Sequence, residues 1–472
     1  MESLVLPLSA ENCIISDKYA FFSVKENGKL IFDDSNFFEF LQKAGFGIVQ
    51  KAETTELVKI ENNIVFKVIS TDIKRFIIAY LTTNEDEKAL NYVLKNTSIF
   101  STRYLDGLKL VSPKIIRDTE KSAFLPYRNG LVEITEYDIK DPVPYEKLEY
   151  QVWSHHIIDR EFRNGVHLNT NPVFWNFLIK LANNDQGRLN HLITIIGYSL
   201  HNYRSHANTR AIIINDETVS ENPEGGSGKS LFALALGKIR NLVLKDGKSF
   251  TPKKSFGWSD IDETVDLVLI DETSKDFSFE DLFSVISLGI PVERKNRDGY
   301  YLPIEKSPLF IITSNNIVAG YSGSFKRRQY NVDIHQYFNA KWTPKDEFGH
   351  LFFSDWDEEE WAKFDLFMAS CIQFYLANGV IEPREIDQKK KDSIRATNSI
   401  FVEWLDEIIS ELNGFNSTTI LHSRFLEETG QVKRDISIKK FFNFLKKFCE
   451  IYHYSFIEER SSTVRGFKII IN

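Results

Sequence analysis

The chain has 472 residues, of which 42% are hydrophobic and 26% are charged, a composition typical of soluble globular proteins and too apolar for a disordered one. Its formal net charge of −8 excludes a protein that wraps nucleic acid through bulk positive charge, although not one with a local basic channel or hairpin. Cys13, Cys371 and Cys449 lie too far apart for a zinc ribbon or a disulfide framework, which favours a reducing compartment. No signal-peptide pattern and no bilayer-spanning stretch is present, so we expect a cytoplasmic protein without a membrane partner.

The spacing of apolar residues predicts five successive regions. An N-terminal region mixes short strands with short helices and is interpreted as an α+β accessory domain, and a helical lead-in follows it. The third region alternates apolar strands with polar loops, the pattern of an α/β core. A helical segment with a linker comes next, and the chain finishes with helices and a strand pair. The predicted regions are 1–150, 151–205, 206–335, 336–395 and 396–472.

A glycine-rich stretch separates an apolar strand over residues 211–214 from a helical pattern over residues 231–236. Strand, glycine-rich loop, Gly-Lys-Ser and helix form the context of a triphosphate-binding loop, in which backbone N–H groups cradle the phosphates. Lys229 is predicted to reach the β- and γ-phosphates from the protein surface, and the Ser230 hydroxyl to bind Mg²⁺. Pro223 replaces the first glycine of the usual pattern. The predicted nucleotide-binding residues are Glu224, Gly225, Gly226, Ser227, Gly228, Lys229 and Ser230.

Two carboxylates end the next apolar strand, about 40 residues downstream of the loop. The strand covers residues 265–270 and leads into Asp271 and Glu272. One acid at the end of a parallel strand holds Mg²⁺ through water, and a second acid polarises the attacking water. We assign Asp271 to the metal and Glu272 to the catalytic base.

A third apolar strand, over residues 309–312, leads into Asn315, and two arginines follow. An amide at a strand end beside the γ-phosphate is suited to hold the attacking water. Arg327 and Arg328 are placed where the phosphates of a neighbouring subunit can be reached, and an arginine supplied in this way stabilises the charge of the transition state. The predicted catalytic residues are Glu272, Asn315, Arg327 and Arg328.

The order and compact spacing of these motifs over residues 205–335 resemble the superfamily 3 helicases, AAA+ ATPases of DNA viruses, phages and plasmids. The resemblance implies an AAA+ P-loop core in a hexameric ring, with ATP at the subunit interfaces and 3′-to-5′ movement on single-stranded DNA. It also implies a β-hairpin in the central channel, carried here by residues 292–304, with Arg294, Lys295 and Arg297 as DNA-binding residues. A weaker likeness to poxvirus-type primase–helicases implies an accessory N-terminal region and a C-terminal winged helix.

The sequence therefore predicts an ATP- and Mg²⁺-dependent replicative DNA helicase that works as a homo-oligomeric ring on single-stranded DNA. Two alternatives remain open at this point. One is an AAA+ initiator or recruitment ATPase that binds DNA without unwinding it. The other is a primase–helicase whose diverged primase lies in residues 1–150, or a helicase that partners a separate primase or polymerase.

Overall fold

The computed structural model describes residues 21–26, 29–51, 54–165, 171–217, 225–274, 277–295, 297–315, 323–382, 385–460 and 465–471. Within these ranges the protein is a mixed α/β structure with a five-stranded parallel sheet, so the predicted α/β class is confirmed.

The first part of the described chain builds an aromatic core. Its elements are β1 (Phe22–Val24), β2 (Leu30–Phe32), α1 (Asp34–Lys43), β3 (Phe46–Lys51), β4 (Thr54–Glu61), β5 (Ile64–Lys67), α2 (Ser70–Thr83), α3 (Glu87–Lys95) and α4 (Thr102–Leu105). β3, β4 and β5 pair antiparallel. Phe37, Phe40 and Phe76 are almost inaccessible in this core, because α1 and α2 each bury one apolar face.

A hairpin and two helices lead into the central sheet. These elements are β6 (Ser122–Tyr127), β7 (Gly130–Thr135), β8 (Val152–Trp153), α5 (Val173–Leu181) and α6 (Gln186–Leu200). α5 and α6 are separated by Asn183 and Asn184, whose positive φ angles turn the chain. The β6–β7 hairpin shares its hydrophobic core with α5, α6 and the central sheet.

The central sheet and its insertions follow. In chain order the elements are β9 (Ala211–Asp216), α7 (Lys229–Leu236), β10 (Leu242–Asp246), β11 (Leu267–Thr273), α8 (Phe283–Ser287), β12 (Gly289–Arg294), β13 (Arg297–Pro303), β14 (Leu309–Ser314), α9 (Gly323–Lys326) and β15 (Gln329–Ile334). The sheet order is β10-β11-β14-β9-β15, and every neighbouring pair is parallel. The loop strand β9 therefore lies beside β14, and β14 separates it from the acidic strand β11.

Both faces of this sheet are buried, as expected for a parallel sheet whose connections cross its faces. Ile212 and Ile214 of β9 face a core shared with α5, α6 and α7. Ile213 faces the opposite core, which contains Trp258 and Phe279. Because the carboxyl ends of parallel strands meet at one edge, the residues that follow β9, β11 and β14 come together there.

The rest of the described chain is mostly helical. Its elements are α10 (Pro344–Phe348), α11 (Glu358–Asn378), α12 (Glu385–Ala396), α13 (Ser399–Ile408), β16 (Asn416–Ser417), α14 (Thr418–Thr429), α15 (Ile438–Tyr452), β17 (Ser455–Arg460) and β18 (Arg465–Ile470). α11 lies against α6, where Gly197 permits the close approach: an added Cβ would lie 2.2 Å from the Cys371 carbonyl oxygen. α13 to α15 and the sheet β16-β18-β17 enclose a separate hydrophobic core. Within the described ranges, no helix has both the length and the apolar character needed to cross a membrane.

Candidate nucleotide site

Two glycines shape the loop between β9 and α7. Gly226 and Gly228 have φ angles of +97° and +100°, in the region that favours glycine. Gly228 is the N-cap of α7, and a Cβ at this position would lie 3.0 Å from the Phe177 ring, so α5 supports the loop from one side. The loop thus ends at a helix N-terminus, where free N–H groups and the helix dipole favour an anion. Pro223 and Glu224 lie outside the described residues, and the role of Glu224 stays a prediction.

Lys229 is buried rather than a surface clamp, so that part of the prediction was wrong. Its side chain is 7% exposed, and Nζ donates to Asp216 Oδ2 at 2.6 Å and to Ser227 Oγ at 3.0 Å. Asp216 is the last residue of β9, and its Oδ1 is buried without a partner among the described residues. A carboxylate at the end of the strand that precedes the loop was visible in the sequence, but its contact with Lys229 was not.

Ser230 and Asp271 are brought together, as the proposed metal site requires. Ser230 Oγ donates to Asp271 Oδ1 at 2.8 Å. Asp271 Oδ1 also accepts a hydrogen bond from Thr313 Oγ1 at 2.5 Å. A hydroxyl and a carboxylate are the hard oxygen ligands that Mg²⁺ prefers. The described residues contain no group of three or more His, Cys, Asp and Glu side chains able to cage a metal ion. The donor set of Ser230 and Asp271 fits Mg²⁺ by its chemistry.

Glu272 follows Asp271 in an unusual backbone conformation. Its φ is +55°, and its N–H donates to Thr313 Oγ1 at 2.8 Å. The half-exposed carboxylate accepts a hydrogen bond from Lys248 Nζ at 2.6 Å, and this bond raises the pKa of Lys248. Glu272 and Asn315, which the sequence assigned to water activation, line the same cavity.

That cavity has a volume of about 480 Å³ and extends from the glycine-rich loop to a segment that sequence reasoning missed. Its far end is formed by Thr343, Pro344 and Lys345 of the α10 start and by His350, Leu351 and Phe352. Leu351 is 48% exposed, and the buried His350 Nε2 has no partner among the described residues. An apolar surface beside polar groups suits a nucleobase, but nothing in the local sequence of this segment pointed to it.

The remaining cavity walls come from the elements already described. Together, the residues that line the cavity are Gly225, Gly226, Ser227, Gly228, Lys229, Ser230, Leu231, Glu272, Thr313, Asn315, Thr343, Pro344, Lys345, His350, Leu351 and Phe352.

Neither predicted arginine lines this cavity. Arg328 is half-buried against its own chain: Nε donates to Ser287 Oγ at 2.9 Å, and the guanidinium lies 4.7 Å from the centre of the Phe283 ring. Arg327 is exposed. The two side chains therefore differ in their surroundings, and Arg327 is the one presented at the surface.

The predicted hairpin is present as the antiparallel pair β12–β13, which pairs Val292 with Tyr300. Arg294 is held on the hairpin, because Nη2 donates to the Tyr300 hydroxyl at 3.2 Å and the guanidinium lies over the Tyr300 ring. Lys295 is exposed at the turn. Arg297 opens β13 opposite Arg294, and its side chain is outside the described part of the chain.

The chain shows only a limited likeness to known proteins. No family model matches the chain, and no curated protein matches it. Matching solved structures include three apo structures of the NrS-1 C-terminal region, each with a TM-score of 0.38. They are 14%, 12% and 11% identical in sequence and cover 92% of this chain and 98%, 99% and 98% of their own chains.

Proposed function

We propose that the protein is an ATP- and Mg²⁺-dependent replicative DNA helicase, with an AAA+ core that translocates on single-stranded DNA as a hexameric ring. The observation that carries the proposal is the single cavity at the carboxyl edge of the parallel sheet. The glycine-rich loop with Lys229 and Ser230 lines this cavity together with Glu272 and Asn315, and Asp271 is hydrogen-bonded to Ser230 beside it, although these residues follow three strands spread over about 100 residues.

Each of these groups has a defined task in phosphoryl transfer. The loop N–H groups and Lys229 bind the phosphates, and Lys229 exchanges its Asp216 partner for phosphate oxygens. Ser230 and Asp271 hold Mg²⁺, which supplies charge neutralisation when bound. Glu272 takes the proton of the attacking water, which Asn315 orients.

The base end of the substrate rests against residues 343–352. Leu351 and Phe352 provide the apolar surface, and Thr343 and His350 provide polar contacts. The segment is braced by the α10 start, because Thr343 and Asp346 cap each other through N–H and hydroxyl bonds. A braced surface of this kind orients the nucleotide without local reordering.

Arg327 acts on the nucleotide of a neighbouring subunit. It is exposed, and it lies outside the cavity of its own chain. Arg328 is engaged with α8 and supports the local fold instead. An arginine that completes the site of a neighbour requires a head-to-tail interface, and a closed ring is the arrangement in which every subunit is both donor and acceptor.

The β12–β13 hairpin grips single-stranded DNA through Lys295 and Arg297. In chain order the hairpin lies between β11, which contains Asp271, and β14, which leads into Asn315, so the nucleotide site and the hairpin share one scaffold. Cations at a hairpin tip bind phosphates without reading sequence. Arg294 contributes positive charge from the β12 arm.

The regions before and after the core make contacts with DNA and with other proteins. The last described elements are interpreted as a C-terminal winged helix, formed by α13 to α15 and the sheet β16-β18-β17. The reason is that helix α15 is followed by an antiparallel β pair, which forms the wing. The N-terminal elements form the accessory domain, through which a primase or polymerase would dock.

Strand displacement tests the proposal. The wild-type protein is expected to separate a forked DNA duplex only with ATP and Mg²⁺, and the Lys229→Ala/Asp216→Asn variant is expected to be inactive although folded. DNA binding and ATP hydrolysis without strand separation would instead support an initiator or recruitment ATPase. Primer synthesis on a single-stranded template would support a primase–helicase.

A further inference from the structure

The register between β11 and β14 is irregular where the two acids lie. Ile270 pairs with Ile312, and Thr273 pairs with Ser314. Between these pairs β11 has two residues, Asp271 and Glu272, whereas β14 has only Thr313. This two-against-one arrangement is a β-bulge, a feature that re-aims side chains and is rare between parallel strands.

The bulge disturbs the backbone at Glu272. A non-glycine residue with φ of +55° is uncommon and is retained only when its surroundings hold it there. The bulge also removes the regular ladder partner of the Glu272 N–H, and a buried N–H without a partner is costly. A partner on β14 for this partly buried donor fixes the turn at Glu272, whose side chain lines the cavity.

Thr313 is that group. Its side chain is buried, and its hydroxyl accepts the Glu272 N–H at 2.8 Å while donating to Asp271 Oδ1 at 2.5 Å. One hydroxyl thus fixes the backbone of one acid and the carboxylate of the other. Ser230 also donates to Oδ1, so two hydroxyl groups hold the same carboxylate oxygen of Asp271.

We propose that Thr313 is the positioning residue of the acid pair, setting Asp271 for Mg²⁺ and Glu272 for the attacking water. The inference rests on the proposed nucleotide hydrolysis. A hydrogen bond to a charged carboxylate is stronger than one between neutral groups, and groups that orient metal ligands in this way are about as important as the ligands themselves. A hydroxyl accepts and donates through one atom, which the methyl groups of valine cannot do.

Thr313→Val tests the role of the hydroxyl, because valine keeps the shape and loses both hydrogen bonds. We expect kcat for ATP to fall roughly 10- to 100-fold, the usual cost of removing a group that orients a metal ligand. KM for ATP should change little, since the loop and the base end are untouched. Thr313→Ser keeps the hydroxyl and should recover most of kcat.

A second readout does not depend on activity. Binding of the fluorescent nucleotide mant-ADP is titrated with Mg²⁺, and Thr313→Val should require roughly 10-fold more Mg²⁺ for half-saturation. Binding of mant-ADP without Mg²⁺ should be unchanged. The control is Thr194→Val: Thr194 is equally buried, and its hydroxyl also donates to a carbonyl and accepts from an N–H, but it lies in α6 away from the cavity.

The outcomes separate this inference from the proposed function. Wild-type kcat and Mg²⁺ dependence in Thr313→Val, with Glu272→Gln inactive, would overturn the positioning role and leave the hydrolysis intact. A serine variant as impaired as the valine variant would overturn it too, as would an equal loss in Thr194→Val. Absence of Mg²⁺-dependent ATP hydrolysis by the wild-type protein would overturn the proposed function itself.

Discussion

Replacing Lys229 with alanine removes the partner of a buried carboxylate as well as a phosphate contact. The Lys229 and Asp216 side chains are 7% and 5% exposed, and their charged atoms lie 2.6 Å apart. Removing one member of a buried ion pair leaves an uncompensated charge and costs about 3–5 kcal/mol of folding free energy. We therefore expect Lys229→Ala to be inactive and also less stable by about that amount.

A second substitution separates these two effects. Asp216→Asn added to Lys229→Ala removes the stranded charge, so the double variant should regain most of the lost stability while it stays inactive in ATP hydrolysis. The assay is urea unfolding followed by tryptophan fluorescence and circular dichroism, to check that both signals report one transition. Lys345→Ala serves as the control: this exposed lysine lines the same cavity, and its loss should change stability by less than about 0.5 kcal/mol. A Lys229→Ala protein as stable as the wild type, or a double variant no more stable than the single one, would refute the reasoning.

Two further predictions concern the chemistry. Glu272→Gln should bind mant-ATP normally and hydrolyse ATP roughly 10²- to 10⁴-fold more slowly, because only water activation is lost; normal turnover would contradict its assignment as the base. Arg327→Ala should assemble but fail to hydrolyse ATP, and mixing it with Lys229→Ala/Asp216→Asn protein should restore some activity, since mixed rings contain interfaces with an intact loop and an intact arginine. No recovery at any mixing ratio, with assembly verified by sedimentation, would exclude action on a neighbouring subunit. Arg328→Ala is the comparison, expected to lower stability through its lost contact with Ser287.

Much of the core could be predicted because its signals are local. β9, β11 and β14 of the parallel sheet each contain a short apolar run, and the polar residues that follow these runs are directed to one edge by topology alone. From that rule alone, Asp271, Ser230 and Asn315 were predicted to lie at one site. The hairpin was predictable for a similar reason, since its arms alternate around a polar turn.

The missed features depend on contacts between distant parts of the chain. The burial of Lys229 depends on Asp216 and on the helices packed behind the loop. The loop sequence alone does not indicate these contacts. The wall at residues 343–352 reaches the cavity only through tertiary folding, more than 110 residues after the loop in the sequence. The role of Thr313 follows from a one-residue register shift, which periodicity cannot reveal. The different settings of Arg327 and Arg328 likewise depend on α8, an element outside their own motif.

The most direct test of the account is the effect of single-stranded DNA on ATP hydrolysis by the Lys295→Ala/Arg297→Ala variant. Lys295 is exposed at the hairpin turn and is not among the described residues that line the nucleotide cavity. Basal hydrolysis by the double variant should therefore match the wild type, whereas stimulation by DNA should be lost. The salt dependence of DNA binding should also become shallower, by a slope of about 0.7 for each phosphate contact removed. Full stimulation by DNA in this variant would contradict the claim that the β12–β13 hairpin couples ATP hydrolysis to movement on DNA.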